Sequence, residues 1–173
     1  MARVLPDAVT VLMVSYLEDY LKSLVAQAAM RHPQLVHELV REHGSDEERK
    51  VLRKGGPPPV IRWAKRRVSF KEGAKNLIRI YDALFGCLPW RNDDEGRLLR
   101  DLVRVRNIVV HSGSVPEQID FEAMETTGIV VPSNKFFYKL DLLPFLLPLL
   151  GAAGMVGVHL NSTLEKDPRY CDG

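Results

Sequence analysis

Apolar residues recur every three or four positions along most of this chain, the spacing of amphipathic helices. In the first long segment, about residues 6–30, the apolar positions are Val9, Leu12, Met13, Tyr16, Leu17, Tyr20, Leu21 and Leu24. Pro33 suits the first turn of a second helix, which we expect to stop at Gly44. Ser45 and Glu48 have capping-box spacing and predict a short third helix.

Proline and glycine mark the breaks in the middle of the chain. The stretch "GGPPP" (55–59) predicts an interruption, because Pro58 and Pro59 cannot continue a helix. A further helix is expected over about Ile61–Val68. The stretch "SFKE" (69–72) is a second capping box, opening a helix that ends near Gly86.

The second half begins with a long helix over about Asp94–His111, with Gly113 placed for a left-handed cap. Residues 114–133 are expected to be mostly loop. The pieces "GIVV" and "KFFYKL" predict a minor hairpin, and Asp141 is placed to cap a final apolar helix. The pattern therefore predicts an all-α fold, a helical bundle with at most a minor β-hairpin before the C-terminal helix.

Length and cysteine content restrict the class of protein. A chain of 173 residues with 46% hydrophobic content is expected to form one domain over residues 1–173. Cys87 and Cys171 are too few for a disulfide framework, and no histidine has a carboxylate or cysteine at metal-ligand spacing. The first residues lack a signal pattern, so we expect a cytoplasmic protein. We also expect it to work without a metal or cofactor.

Residues 142–158, "LLPFLLPLLGAAGMVGV", carry no charge and approach the length that spans a bilayer. Two prolines, three glycines and flanks without a basic cluster argue against a membrane span. We therefore expect a buried helix, or one that packs against a second copy of the protein. A membrane-attached protein remains the alternative.

The net charge is +2, but the basic residues are concentrated in one segment. Eleven Lys or Arg and one acid lie between Arg49 and Arg79, which leaves the rest of the chain acidic. One interpretation is a solvated helical face. The other is a surface for a polyanion such as RNA, with Trp63 and Phe70 interleaved among the bases. The candidate RNA-binding residues are Arg62, Lys65, Arg66, Arg67, Arg100 and Arg104.

A helical wheel of residues 97–111 places Arg106 in the middle of the apolar stripe, at about 100° per residue. The opposite face carries Arg97, Arg100, Arg104, Asn107 and His111. A buried arginine is costly unless an anion meets it. The anion is either an acid from another helix, for which Glu18 is our candidate, or a bound phosphate.

His111 also has two interpretations. A cationic side chain in the last turn of a helix interacts favourably with the helix dipole. Histidine also titrates near neutrality and serves as a general acid or base. Asn107 lies one turn earlier, where a hydrogen bond could orient the imidazole. RNA supplies its own nucleophile, the 2′-hydroxyl, so an Arg–His pair suffices for cleavage that leaves a 2′,3′-cyclic phosphate.

The stretch "RNIVVH" resembles the motif of HEPN (higher eukaryotes and prokaryotes nucleotide-binding) domains, an arginine followed after four to six residues by a histidine. "YLEDYLKSL" is similar to their acid-bearing first helix. The resemblance covers about residues 5–162. It implies a helical bundle that dimerises, bringing two motifs to one cleft, and in many members a metal-independent endoribonuclease used as a toxin or in phage defence.

By resemblance, Arg106 and His111 would be catalytic, with Asn107 and Glu18 in support. RNA would be the substrate, and a cognate antitoxin or defence-system protein a further partner. A tyrosine two residues after the histidine is modified in some members. Gly113 stands there in this chain, so we do not expect that regulation. The alternative function is an inactive HEPN-like module that binds a protein or a nucleotide.

Overall fold

The computed structural model of this protein describes residues 4–53, 57–68, 75–113, 115–133 and 138–167. Its helices are α1 (Val4–Arg31), α2 (Pro33–His43), α3 (Asp46–Arg53), α4 (Pro57–Arg67), α5 (Lys75–Phe85), α6 (Asp93–His111), α7 (Gln118–Ala123) and α8 (Leu146–Leu164). Its strands are β1 (Val130–Pro132) and β2 (Tyr138–Leu140). The predicted all-α class with a minor hairpin before the last helix is confirmed.

Local signals for helix ends are confirmed where the structure describes them. Pro33 is the first residue of α2, which ends immediately before Gly44. The amide of Ser45 donates to Glu48 Oε2 at 2.8 Å, and the amide of Glu48 donates to Ser45 Oγ at 3.3 Å. This reciprocal pair is the predicted capping box. The second predicted box, over residues 69–72, lies outside the described residues.

Two predicted helix starts are wrong. Helix α4 begins at Pro57 rather than near Ile61, because proline is tolerated in the first turn, where the amides have no partner within the helix. Asp141 does not cap α8, whose N-cap is Phe145. The Asp141 amide instead donates to the Ile129 carbonyl at 2.8 Å, so this residue extends the pairing of the hairpin.

The segment expected to be loop contains the short helix α7. Glu117 and Asp120 form its capping box, with the Glu117 amide donating to Asp120 Oδ2 at 2.8 Å. The hairpin that follows is antiparallel, with Val130 paired to Leu140. The ring of Phe121 in α7 stacks on Tyr138 of β2 at 5.2 Å between centroids. The helix and the hairpin therefore form one small layer.

The chain divides into two compact units, and α1 contributes to both. The first unit comprises residues 1–17 and 90–173. Its core forms where α6 packs against α8. Buried residues of this contact are Leu99, Leu102, Val105, Ile108, Leu149, Val156 and Leu160.

The second unit comprises residues 18–89, in which α2 packs against α3, α4 and α5. Tyr81 is fully buried in this unit, and its hydroxyl donates to the Leu21 carbonyl at 3.1 Å. Burial raises the pKa of the Tyr81 phenol. Each unit thus has a core of its own, and the single domain over 1–173 stays a prediction.

Helix α8 occupies most of the uncharged segment 142–158. Among the described residues it is the one helix long and apolar enough to cross a membrane, and 28% of its most apolar window is buried. One face contributes to the core of the first unit through Leu149 and Val156, whereas Leu147 and Val158 are exposed. What covers the exposed face stays a prediction.

Candidate functional site

The "RNIVVH" motif forms the last turns of α6, as predicted. Asn92 caps the start of this helix, its Oδ1 accepting from the Glu95 amide at 3.0 Å. The Ser112 amide donates to the Ile108 carbonyl at 2.9 Å. Gly113 follows with φ +58°, the left-handed conformation that glycine adopts without strain. The motif is therefore carried by a regular helix with a defined end.

Arg106 is half-buried on the apolar side of α6, beside the buried Leu102 and Val103. Its Nη1 donates to Asn107 Oδ1 at 3.0 Å. Its Nε is buried and meets no hydrogen-bond acceptor within the described residues. A buried donor without an acceptor costs about 1–3 kcal/mol. This arginine therefore lacks the acceptor that its position requires.

His111 is exposed at the end of the same helix. The predicted hydrogen bond between Asn107 and His111 is not formed among the described residues, and the Asn107 carboxamide oxygen accepts from Arg106. Positions 106 and 111 lie about 140° apart around an ideal helix and about 7.5 Å apart along its axis. The two side chains thus leave the helix in different directions, whereas Asn107 and His111 lie within about 40° of each other.

Glu18, the predicted acidic partner of Arg106, belongs to the second unit, whereas Arg106 belongs to the first. Within its own unit, Glu18 forms an ion pair with Lys22, one turn later on α1. Its pairing with Arg106, and its supporting role in a site, stay predictions.

Arg100 and Arg104 bind acids of their own unit. Arg100 donates to both oxygens of Glu125, from Nε at 2.8 Å and from Nη2 at 2.7 Å. Arg104 Nη1 donates to Glu125 Oε1 and to Asp101 Oδ1, both at 2.9 Å. Two charges that we expected to face RNA are thus largely balanced within the protein, and their binding to RNA stays a prediction.

Arg100, Arg104, Glu125 and Asp101 form one cluster. Its central residue is Asp101, a fully buried acid that we did not single out from the sequence. Besides Arg104, its carboxylate accepts from the Glu125 amide at 3.0 Å and the Thr126 amide at 2.7 Å. Hydrogen bonds from Arg100, and further ones from Arg104, hold the pKa of Glu125 at about 2 against the opposing effect of burial. The cluster fixes the loop after α7 to α6.

The arginines of the basic segment in the second unit also differ in their environments. Arg67 donates to Glu48 from Nη2 at 2.7 Å, and Trp63 Nε1 donates to the same carboxylate at 2.8 Å. By contrast, Arg62 and Arg66 on α4 are exposed, as is Lys65. Arg62 and Arg66 line a pocket of about 390 Å³, together with Trp63.

Within the described ranges, no three His, Cys, Asp or Glu side chains gather as metal ligands would. Comparison with known proteins supplies no assignment, since no family model, no curated protein and no solved structure matches this chain. The function is therefore inferred from the motif on α6 and from the surfaces around it.

Proposed function

We propose that this protein is a metal-independent endoribonuclease of the HEPN-like type, with Arg106 and His111 as its catalytic residues. The observation that carries this proposal is the Arg106 guanidinium, half-buried with an Nε that lacks an acceptor among the described residues. A phosphate bound to this guanidinium would balance its charge, and a shift of the side chain would bring a phosphate oxygen to the buried Nε.

In this mechanism, the 2′-oxygen attacks the adjacent phosphorus, the bond from phosphorus to the 5′-oxygen breaks, and a 2′,3′-cyclic phosphate forms. A general base takes the proton of the 2′-hydroxyl, and a general acid protonates the departing 5′-oxygen. His111 is suited to either step because its imidazole is exposed in the last helical turn. Arg106 would stabilise the negative charge that develops on the phosphoryl oxygens.

The different directions of Arg106 and His111 favour a cleft shared by two copies of the chain. In a homodimer, Arg106 of one copy and His111 of the other can approach one phosphate from opposite sides. Two histidines in the cleft would also provide separate groups for the base and the acid. The toxin or phage-defence setting, with a cognate antitoxin or defence protein as partner, belongs to this proposal through the resemblance.

The test is cleavage of a mixed RNA pool in EDTA by the full chain. We expect wild type to produce 2′,3′-cyclic phosphate ends, and Arg106→Ala and His111→Ala to lose at least about 100-fold in rate. Arg41→Ala and His37→Ala are matched controls, since both residues are exposed on α2 and belong to the second unit rather than to the motif. Normal cleavage by His111→Ala, or failure of wild type to cut RNA that it binds, would contradict the proposal.

Mixing the two inactive variants tests the shared cleft. A dimer of one Arg106→Ala chain and one His111→Ala chain retains an intact arginine and an intact histidine on different copies. We therefore expect a measurable fraction of wild-type cleavage after the variants are exchanged. An inactive mixture, with active wild type, would contradict the shared cleft while leaving the ribonuclease itself established.

One observation favours the second candidate, a non-catalytic module that binds a protein or nucleotide. Asn107 is hydrogen-bonded to Arg106, and no hydrogen bond from Asn107 orients the imidazole of His111 within the described residues. In that case Arg106 would still bind a phosphate or carboxylate, but His111→Ala would leave binding and biological role unchanged. The cleavage assay separates the two candidates.

A further inference from the structure

A pocket of about 390 Å³ lies between α3 and α4 in the second unit. Its lining consists of Glu47, Glu48, Leu52, Pro59, Arg62, Trp63 and Arg66. The volume falls within the range of about 300–1,000 Å³ that is typical of small-molecule sites. The lining combines an aromatic ring and apolar side chains with two arginines and two glutamates.

The indole ring of Trp63 is held in place from one side. Its Nε1 donates to Glu48 Oε1 at 2.8 Å, and the guanidinium carbon of Arg67 lies 5.9 Å from the ring centroid. Arg67 itself donates to both oxygens of Glu48, each at 2.7 Å. The ring is therefore preorganised, which lowers the entropy cost of stacking a ligand on it.

The cations of the pocket are placed to meet phosphate. Arg62 and Arg66 are one turn apart on α4, so they lie on the same face of the helix. Both are exposed, and within the described part of the chain neither forms an ion pair with an acid. The charge of Glu48 is balanced by Arg67, so Glu47, which is exposed, is the remaining acid in the lining of this pocket.

We propose that this pocket binds one unpaired nucleotide of single-stranded RNA. The base would stack on Trp63 beside Leu52 and Pro59, and the adjoining phosphates would bind Arg62 and Arg66. Bases of duplex RNA are stacked within the helix and cannot enter such a pocket. This inference deepens the proposed function and rests on it for RNA as the ligand, and it predicts that unpaired regions are the substrate.

Binding is measured separately from cleavage with a labelled 2′-O-methyl RNA 12-mer, which lacks the nucleophilic hydroxyl and cannot be cut by the proposed mechanism. The full chain should bind the single-stranded 12-mer at least about tenfold more tightly than the same sequence in a duplex. Fluorescence anisotropy gives both affinities. Equal affinity for the two forms would overturn the proposal.

Two substitutions of Trp63 measure how much stacking on its ring contributes to binding. Trp63→Phe and Trp63→Leu both remove the N–H that donates to Glu48, but only Phe keeps a ring. Base–aromatic stacking contributes about 1–3 kcal/mol, so Leu should weaken binding at least about fivefold more than Phe does. Equal binding by two folded variants would exclude stacking on Trp63.

Exposed arginines provide a test that does not depend on core packing. Because each phosphate contact contributes about 0.7 to the salt dependence of single-strand binding, Arg62→Gln/Arg66→Gln should reduce the slope of log K against log salt by about 1.4. Arg41→Gln/Lys139→Gln is the matched control, with the same charge change on exposed residues of α2 and β2 that lie outside the pocket lining and outside the basic segment.

The outcomes distinguish this inference from the proposed function. Binding that depends on Trp63 and the two arginines, in a protein that does not cut RNA, would support the pocket and contradict the nuclease. Cleavage that is unaffected by all three substitutions, with an unchanged salt slope, would support the nuclease and overturn the pocket.

Discussion

Neighbouring stretches of α6, residues 100–104 and the turn that carries Arg106, place their arginines in opposite environments. Arg100 and Arg104 donate at 2.7–2.9 Å to Asp101 and Glu125. Arg106, half a turn later, has a buried Nε that meets no acceptor among the described residues. Arg100 and Arg104 thus fix the loop after α7 to α6, whereas Arg106 is the arginine that we propose binds a ligand. Arginine spacing along a helix is therefore a poor guide to which residue is functional.

The second unit shows the same contrast on a smaller scale. On α4, Arg67 is engaged by Glu48, whereas Arg62 and Arg66 are exposed beside the Trp63 pocket. Burial raises the pKa of Glu48, but hydrogen bonds from Arg67, the Ser45 amide and Trp63 outweigh it and lower the pKa to about 2. In both units, the arginines that contact acids stabilise the fold, whereas Arg106, Arg62 and Arg66 are the ones that we propose contact RNA.

Removing Asp101 should have the largest effect on stability. Asp101→Ala leaves the amides of Glu125 and Thr126 without their acceptor and removes one of the two acidic partners of Arg104. We expect a loss of about 3–5 kcal/mol in the free energy of unfolding, measured with urea. A loss below about 1 kcal/mol would show that the cluster contributes little.

Lowering the pH should weaken the cluster of Asp101, Glu125, Arg100 and Arg104 in a graded way. The pKa of Glu125 is about 2 in the folded chain against an ordinary value of 4.5, so its stabilisation is present above pH 4.5 and disappears as the pH falls towards 2. Because its side chain is 27% exposed, we expect about 1–2 kcal/mol rather than the full shift. Urea unfolding of Glu125→Gln should differ from wild type by this amount at pH 7 and converge with it near pH 2. A constant difference across that range would contradict this assignment.

Arg104→Met tests the paired arginine itself. It removes hydrogen bonds to Asp101 and Glu125, but Arg100 and two backbone amides remain to balance the acids. The expected loss is about 1–2 kcal/mol in the free energy of unfolding. An increase in stability would mean that Arg104, like Arg106, is held at a cost to the fold.

His111→Ala should have the smallest effect on stability. His111 is exposed and has no hydrogen-bond partner among the described residues, so a change within about 0.5 kcal/mol is expected by urea unfolding. The proposed RNA cleavage should nevertheless be lost. A clear drop in stability with normal cleavage would mean that His111 stabilises the end of the helix and has no catalytic role.

The helices and the hairpin could be predicted because their signals are local. Pro33, the capping box at Ser45 and the glycine at 113 act within a few residues of their own position. The contacts of Asp101 with Glu125, and of Glu48 with Arg67, join residues 24 and 19 positions apart, and the spacing of acids and bases does not specify such pairs. The half-buried position of Arg106 could be predicted from the helical wheel, but the loss of Asn107 as a partner for His111 could not.

The most direct test compares Arg106→Met with Arg104→Met, two identical substitutions on one helix. Each variant is assayed for thermal unfolding and for RNA cleavage in EDTA. If Arg106 is reserved for a phosphate, its replacement should leave the Tm unchanged or raise it, because an unsatisfied buried donor is removed, and cleavage should be lost. Arg104→Met should lower the Tm. A lowered Tm with retained cleavage in Arg106→Met would contradict a functional site at the end of α6.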